Sequence, residues 1–273
     1  MPRLDIEQME KKARWIWEET MLLHKRCYET RVASSLSCVE ILTALFYGDI
    51  LTHNPISPLS EQRDRFVISK GHGSISFFPI LADLGFVEMD ELKKISENEG
   101  VFKAIPDTLI PGYETINGSV GHGIGVGCGI ALALKRKNAP QTVFVLTGDG
   151  ELFEGSAWEA IMFAGHHGLD NLVLIVDQNG ASMLDFCENT IDLAPLDEKF
   201  RSFRWDAVKV DGHNLASLVT EFATAKEKRQ GKPKVVVAKT VKGKGVPELE
   251  KDALSHIRVL APEVVDRILE ERK

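Results

Sequence analysis

No apolar run in this chain approaches the roughly 20 residues that a membrane-spanning helix needs. The charged, amphipathic opening MPRLDIEQMEKKARWIWEE has no signal-peptide core either. Cysteine is scarce: Cys27, Cys38, Cys128 and Cys187 are the only four, none forms a CxxC pair, and their spacing matches no metal site. Cys38 and Cys128 lie in apolar or glycine-rich helical patterns and read as small buried thiols. Excess basic charge is missing too. With 33 Lys and Arg against 40 Asp and Glu the formal charge is −7, which argues against a nucleic-acid binder with its basic face. There is no GxxxxGK[ST], no GxSxG and no strict GxGxxG, so P-loop, nucleophile-elbow and dinucleotide readings lack their signatures. These absences leave a cytoplasmic protein of a reducing compartment as the expectation, with neither membrane nor nucleic acid as partner.

What is present is enough apolar material for a core, 44% of 273 residues. Leu4, Ile6, Met9, Ala13, Ile16, Trp17 and Met21 fall near helical spacing and predict a helix over 4–31. A second helix is expected over 37–51, capped by Ser35 or Ser37. RFVIS reads as a short strand ending at Lys70-Gly71-His72-Gly73, followed by a helix in SISFFPILADLG and an acidic one in MDELKKISENEG. Residues 105–129 are glycine-dense and loop-like, with a helix beginning at IALALKRK. TVFVL, NLVLIV and KVVVAK are strands, DAVKV is a further one, and helical segments at 156–167 and 214–229 separate them. The terminal PEVVDRILEERK reads as an exposed helical appendage. Strands alternating with helices predict an α/β fold in one domain over 1–273: a doubly wound, mostly parallel sheet with helices on both faces.

In such sheets ligands bind beyond the carboxyl ends of the strands, and the corners GHG, GDG and QNG all lie just past strand ends. Asp149 and Asn179 stand 30 residues apart, one strand–helix–strand unit, so they fall on neighbouring or nearby strand ends. One carboxylate and one amide oxygen suit Mg²⁺, which uses few protein carboxylates and completes its octahedron with phosphate and water. Gly148 and Gly150 let the backbone turn and approach a ligand closely. Either corner alone is as well explained by a helix cap or an ordinary Asn-Gly turn. The two together, beside the glycine-rich loop at 118–129, favour a diphosphate held through a metal.

GDG followed about thirty residues later by Asn resembles the thiamine-diphosphate signature. SKGHGS (69–74), ETINGSVGHG (114–123), DGHN (211–214) and KTVKGKGV (239–246) accompany it. The set is similar to the N-terminal, diphosphate-binding half of transketolases and covers nearly the whole chain. That resemblance implies Mg²⁺ ligation by Asp149, Asn179 and the carbonyl of Ala181. It implies diphosphate contacts from Gly150 and His72, and an aminopyrimidine-side turn at Gly118, Ser119 and Val120. Glu154 matches an acidic residue at a subunit interface, and His256 a histidine facing cofactor and substrate. Catalytic roles would fall to His72, His256 and Glu154.

Two departures stand out. Transketolases carry SGHPGG where this chain reads ETRVAS, so Arg31 replaces a histidine; a looser match puts Ile105 in the place of a second one. Arginine cannot act as a base but presents a planar fork for carboxylate or phosphate, so Arg31 and His256 are the expected substrate contacts. Transketolases are more than twice this length, and the chain stops where the pyrimidine-binding and C-terminal domains would begin. The resemblance therefore implies a split enzyme, an α₂β₂ assembly with a second subunit carrying those domains, acting on sugars or sugar phosphates. The alternatives are the α subunit of a 2-oxoacid dehydrogenase, a deoxyxylulose-phosphate synthase-like enzyme and a non-catalytic cofactor-binding remnant. SKGHGS and KGKGV favour transketolase.

Overall fold

The computed structural model describes residues 4–106, 110–116 and 118–272. Among them, five short strands rich in β-branched residues form one wholly parallel sheet: β1 (Arg65–Ile68), β2 (Val143–Gly148), β3 (Leu172–Gln178), β4 (Asp206–Asp211) and β5 (Lys234–Lys239), in the order β1-β2-β3-β5-β4. Helices α1 (Ile6–Arg26), α2 (Val32–Leu36) and α3 (Val39–Tyr47) precede β1; α4 (Phe78–Asp83) and α5 (His122–Arg136) lie between β1 and β2. Then α6 (Gly155–His166) joins β2 to β3, α7 (Cys187–Thr190) and α8 (Leu196–Ser202) join β3 to β4, and α9 (Leu215–Glu227) joins β4 to β5. Beyond the sheet come α10 (Pro247–Glu250) and α11 (Pro262–Glu271).

The strand alternation divides the core in two. Phe66, Ile68, Phe144, Leu146, Val173, Ile175, Val236 and Ala238 pack into the layer of α1, α3, α4, α9 and α11. Val67, Val143, Val145, Leu174, Val176, Val235 and Val237 pack into the layer of α5, α6 and α8. Successive side chains of a strand face opposite sides, so both faces of the sheet are covered, as the sequence predicts. The chain moves one way along the sheet from β1 to β4 and then steps back to β5. A right-handed crossover therefore puts α5, α6 and α8 on one face and the returning α9 on the other.

Several elements differ from the sequence reading. Helix α1, closed at its start by the Asp5–Gln8 capping box, ends at Arg26 rather than at residue 31. The second helix is α3, which runs Val39–Tyr47 rather than 37–51, with the short α2 ahead of it; between the two the Ser37 hydroxyl donates to the Asp177 carboxylate. Only Met89–Lys94 of the acidic stretch is helical, as a 3-10 turn. The last part of the glycine-dense stretch, from His122 on, is already α5, and its glycines permit close approach. A Cβ on Gly123 would lie 2.5 Å from Ser69 Cβ, and one on Gly127 2.4 Å from Val145 Cγ2. Nor is α11 exposed throughout. Val265 and Ile268 are buried against the α1 layer, Lys25 pairs with Asp266 at 2.5 Å, and Arg272 stacks over Trp17.

Candidate cofactor and metal site

The carboxyl ends of β1, β2 and β3 open onto one cleft of about 330 Å³. Because β2 and β3 are adjacent and parallel, with Gly148 beside Asp177, the corners that follow them meet. Asp149 accepts the Gly150 N–H on Oδ1 (2.9 Å) and the Gly180 N–H on Oδ2 (2.7 Å), and the Cys187 thiol also reaches this carboxylate. Asp149 is only 6% exposed. Burial, aided by the like charge of Asp177, pushes its carboxyl up to about 6 against the Gly180 hydrogen bond and the lysines nearby. A shift of roughly two units makes the ionised form cost about 3 kcal/mol at neutral pH.

Asn179 Oδ1 accepts the Ala181 N–H at 3.2 Å. The Ala181 carbonyl accepts from Lys242 Nζ at 2.9 Å, and the same ammonium reaches the Ser182 carbonyl at 2.6 Å. Burial and the charge of Lys70 lower Lys242 to about 8. The donors are thus one carboxylate, one amide and one main-chain carbonyl, around a buried negative charge and with a cation already on the carbonyl. No group of three His, Cys, Asp or Glu side chains suited to a metal occurs among the described residues. Such a sparse oxygen set fits Mg²⁺ completed by phosphate, not a self-sufficient protein cage.

After β1 the chain turns through Gly71–Ser76, which puts His72 against His256: His256 Nε2 lies 3.1 Å from His72 Nδ1, and the rings meet edge to face. His256 Nδ1 lies 3.0 Å from Ser34 Oγ. Burial lowers both imidazoles, with Lys242 and Arg31 adding to the effect, His256 to about 3. Both are therefore neutral at pH 7, each ring carrying one N–H donor and one acceptor nitrogen. Arg31, at the start of α2, is half-buried and bonds the Glu29 carbonyl at 3.4 Å; it is not part of the cleft wall, but its charge reaches both histidines.

Gly118 and Val120 line the cleft beside Gly150, with Ser119 exposed next to them. A Cβ on Gly118 would lie 4.0 Å from Ile105 Cγ2, so the loop carrying Ile105 runs along the same turn. Glu154 is exposed at the cleft mouth, where a 3-10 turn passes into α6. His213 lies away from the cleft. It accepts the Val241 N–H at Nε2 (2.9 Å) and faces Glu40 at Nδ1 (3.0 Å), which ties down its turn.

Sequence reasoning missed Lys242, Glu151 and the Lys70–Asp177 pair. Lys242 lies in KTVKGKGV and Glu151 directly follows GDG, so their motifs were in view while their contacts were not. Lys70 and Asp177 form a buried ion pair, in which Ser37 donates to Asp177 at 2.6 Å and Thr240 donates as well. Burial alone would raise Asp177, but the Lys70 charge and these hydrogen bonds outweigh it and hold the carboxyl below its usual range. Its stabilisation is therefore present above the unfolded value of about 3.9 and is lost as pH falls through the lower folded value. Asp177→Asn strands a buried ammonium and is expected to cost about 3–5 kcal/mol in urea unfolding at pH 7. The same variant should lose part of the wild type's acid-induced drop below about pH 4.

The family comparison agrees with this geometry. The transketolase thiamine diphosphate binding domain matches over residues 31–271, so the chain belongs to that family. It is 34% identical over 272 residues to an apulose-4-phosphate transketolase subunit from Actinobacillus succinogenes, covering 99% of this chain and 98% of that one. It is 34% identical over 242 residues to a 6-deoxy-6-sulfo-D-fructose transketolase subunit of a Clostridium species, covering 85% and 84%. The transketolase structure from Campylobacter jejuni superposes with a TM-score of 0.89 at 27% identity, over 98% of this chain and 43% of that one. The chain is thus a transketolase-type, thiamine-diphosphate-binding subunit, and it spans less than half the length of that full transketolase.

Proposed function

We propose that this chain is the N-terminal subunit of a two-subunit transketolase, moving a two-carbon ketol unit from a ketose to an aldehyde with thiamine diphosphate and Mg²⁺. The observation that carries the reading is the meeting of Asp149, Asn179 and Ala181 in one cleft with the Gly118–Val120 turn and the His72–His256 pair. Asp149, Asn179 and Ala181 would hold the metal. Gly150 and His72 would contact the diphosphate, and the buried ammonium of Lys242 adds positive charge to the same wall. The bound cofactor supplies a stabilised carbanion that side chains cannot. His72 and His256, neutral and hydrogen-bonded to each other, would pass protons to and from the sugar oxygens and steady developing negative charge.

Glu154 would face the partner subunit that carries the pyrimidine half, in an α₂β₂ assembly. No helix among the described residues is long and apolar enough to cross a membrane, and all four cysteines are free thiols, which is compatible with a cytoplasmic setting. The test is ketol transfer from a ketose phosphate by the chain together with its partner. Decarboxylation of a 2-oxoacid without ketol transfer would place it instead with the 2-oxoacid dehydrogenase α subunits.

The substrates are sugars or sugar phosphates. Two of the relatives are named for sugars bearing a phosphate or a sulfo group, and the Arg31 fork suits an anionic oxygen cluster. Arg31→His is expected to shift donor preference by about tenfold toward neutral ketoses, the worth of roughly one charge-assisted hydrogen bond. An unchanged ranking across a donor panel would remove Arg31 from the substrate site.

A further inference from the structure

Glu151 directly follows GDG and lines the cleft, yet both of its carboxyl oxygens are turned inward onto protein donors. Its Oε1 accepts from the Ser69 hydroxyl (2.8 Å) and the Gly121 N–H (3.0 Å). Its Oε2 accepts from the Thr147 hydroxyl (2.7 Å) and the Gly148 N–H (2.9 Å). The side chain is buried, and four donors saturate its carboxyl. These donors come from three separate segments: the end of β1, the end of β2, and the residue that caps the start of α5.

Gly121 is the sensitive partner. It adopts φ +80°, a conformation that favours glycine, and a Cβ there would lie 3.0 Å from Glu154 Cβ. Its N–H is one of the groups left without an intrahelical acceptor where α5 begins, and a negative charge there also suits the helix dipole. Of the residues immediately before it, Gly118 and Val120 line the cleft.

We infer that Glu151 is a positioning residue: it pins the Gly118–Gly121 turn to the ends of β1 and β2, so that the cofactor's two ends meet walls of fixed separation. This rests on the cofactor reading for its consequence, though not for its geometry. Because Oε1 and Oε2 each face a backbone N–H, no rotamer of an amide can serve both. Glu151→Gln must turn its own N–H₂ toward either Gly121 or Gly148, at nearly unchanged volume.

The experiment has two independent readouts on the Glu151→Gln chain. In the cofactor-free protein, amide hydrogen exchange over residues 118–122 should speed up at least tenfold, while exchange in β3 and β5 stays at the wild-type rate. In the assembled pair, the concentration of thiamine diphosphate needed for half-maximal rate should rise at least tenfold, with kcat at saturating cofactor within about threefold. Wild-type exchange at 118–122, or a uniform acceleration across the sheet, would overturn the inference. So would a loss of kcat with unchanged cofactor requirement. If the wild-type pair ignores thiamine diphosphate, the functional reading fails while the exchange experiment still decides the role of Glu151. Should Glu151→Gln fail to fold, Ser69→Ala removes one anchor only; it should show the same local acceleration to a smaller degree, and wild-type exchange there would count against the pin.

Discussion

Asp149→Ala is expected to abolish metal-dependent cofactor retention while leaving the cofactor-free fold intact. Loss of a partner that merely orients a ligand costs about 10–100-fold in metal affinity, so loss of the only carboxylate in this donor set should exceed about 100-fold. Ketol transfer by the assembled enzyme should fall at least as far at limiting Mg²⁺. Stability should barely move. The buried carboxylate costs about 3 kcal/mol when ionised, whereas its removal orphans the Gly150 and Gly180 N–H groups at about 1–3 kcal/mol each. Thermal unfolding of the cofactor-free variant within a few degrees of wild type, together with collapse of cofactor binding, is the predicted pattern.

The same group sets a pH dependence. With its carboxyl raised to about 6, Asp149 must shed a proton to take a cation, so metal affinity should hold above that value and fall as pH drops through it. At pH 5 the loss is roughly tenfold, from the one-unit gap. His256, lowered to about 3 by burial and nearby positive charge, should not add a second step in this range, and the same causes lower His72 from the usual histidine value. Calorimetric titration of Mg²⁺ and thiamine diphosphate across pH 5 to 8 checks both points.

The second large effect concerns the partner. This chain alone is expected to show no measurable ketol transfer, and addition of the second subunit should raise the rate at least about 1,000-fold. A correctly placed acid or base contributes about 100- to 10,000-fold, and the glutamate that would activate the aminopyrimidine is expected on the partner. The exposed Gly118, Ser119 and Glu154 at the cleft mouth are what the partner would cover. Glu154→Ala should raise the partner concentration needed for half-maximal rate before it alters kcat. Appreciable turnover by the isolated chain would refute the split arrangement.

Much of this site was legible because its chemistry sits at strand ends. GHG, GDG and QNG mark where buried β-branched runs stop, and the periodicity of those runs is strong. The meeting of Asp149 with the Gly180 N–H follows once β2 and β3 are neighbours. The failures share a cause. In the stretch from Gly121 to Gly129 the glycines read as a loop by propensity, but close packing on Ser69 and Val145 overrides propensity and makes it α5. Asp177 reads as the polar corner just past the strand NLVLIV, and Lys70 as one member of a turn. Their pairing needs the juxtaposition of β1, β2 and β3, which no local pattern carries. Glu151 was hidden for the same reason: its four partners span residues 69 to 148.

One diffraction experiment bears most directly on the whole account: crystals of the assembled pair grown with thiamine diphosphate and Mn²⁺ in place of Mg²⁺, with anomalous data collected at the manganese edge. A peak within about 2.2 Å of an Asp149 oxygen, Asn179 Oδ1 and the Ala181 carbonyl is predicted, with diphosphate oxygens completing the octahedron. Strong cofactor density with no anomalous peak between Asp149 and Asn179 would contradict it.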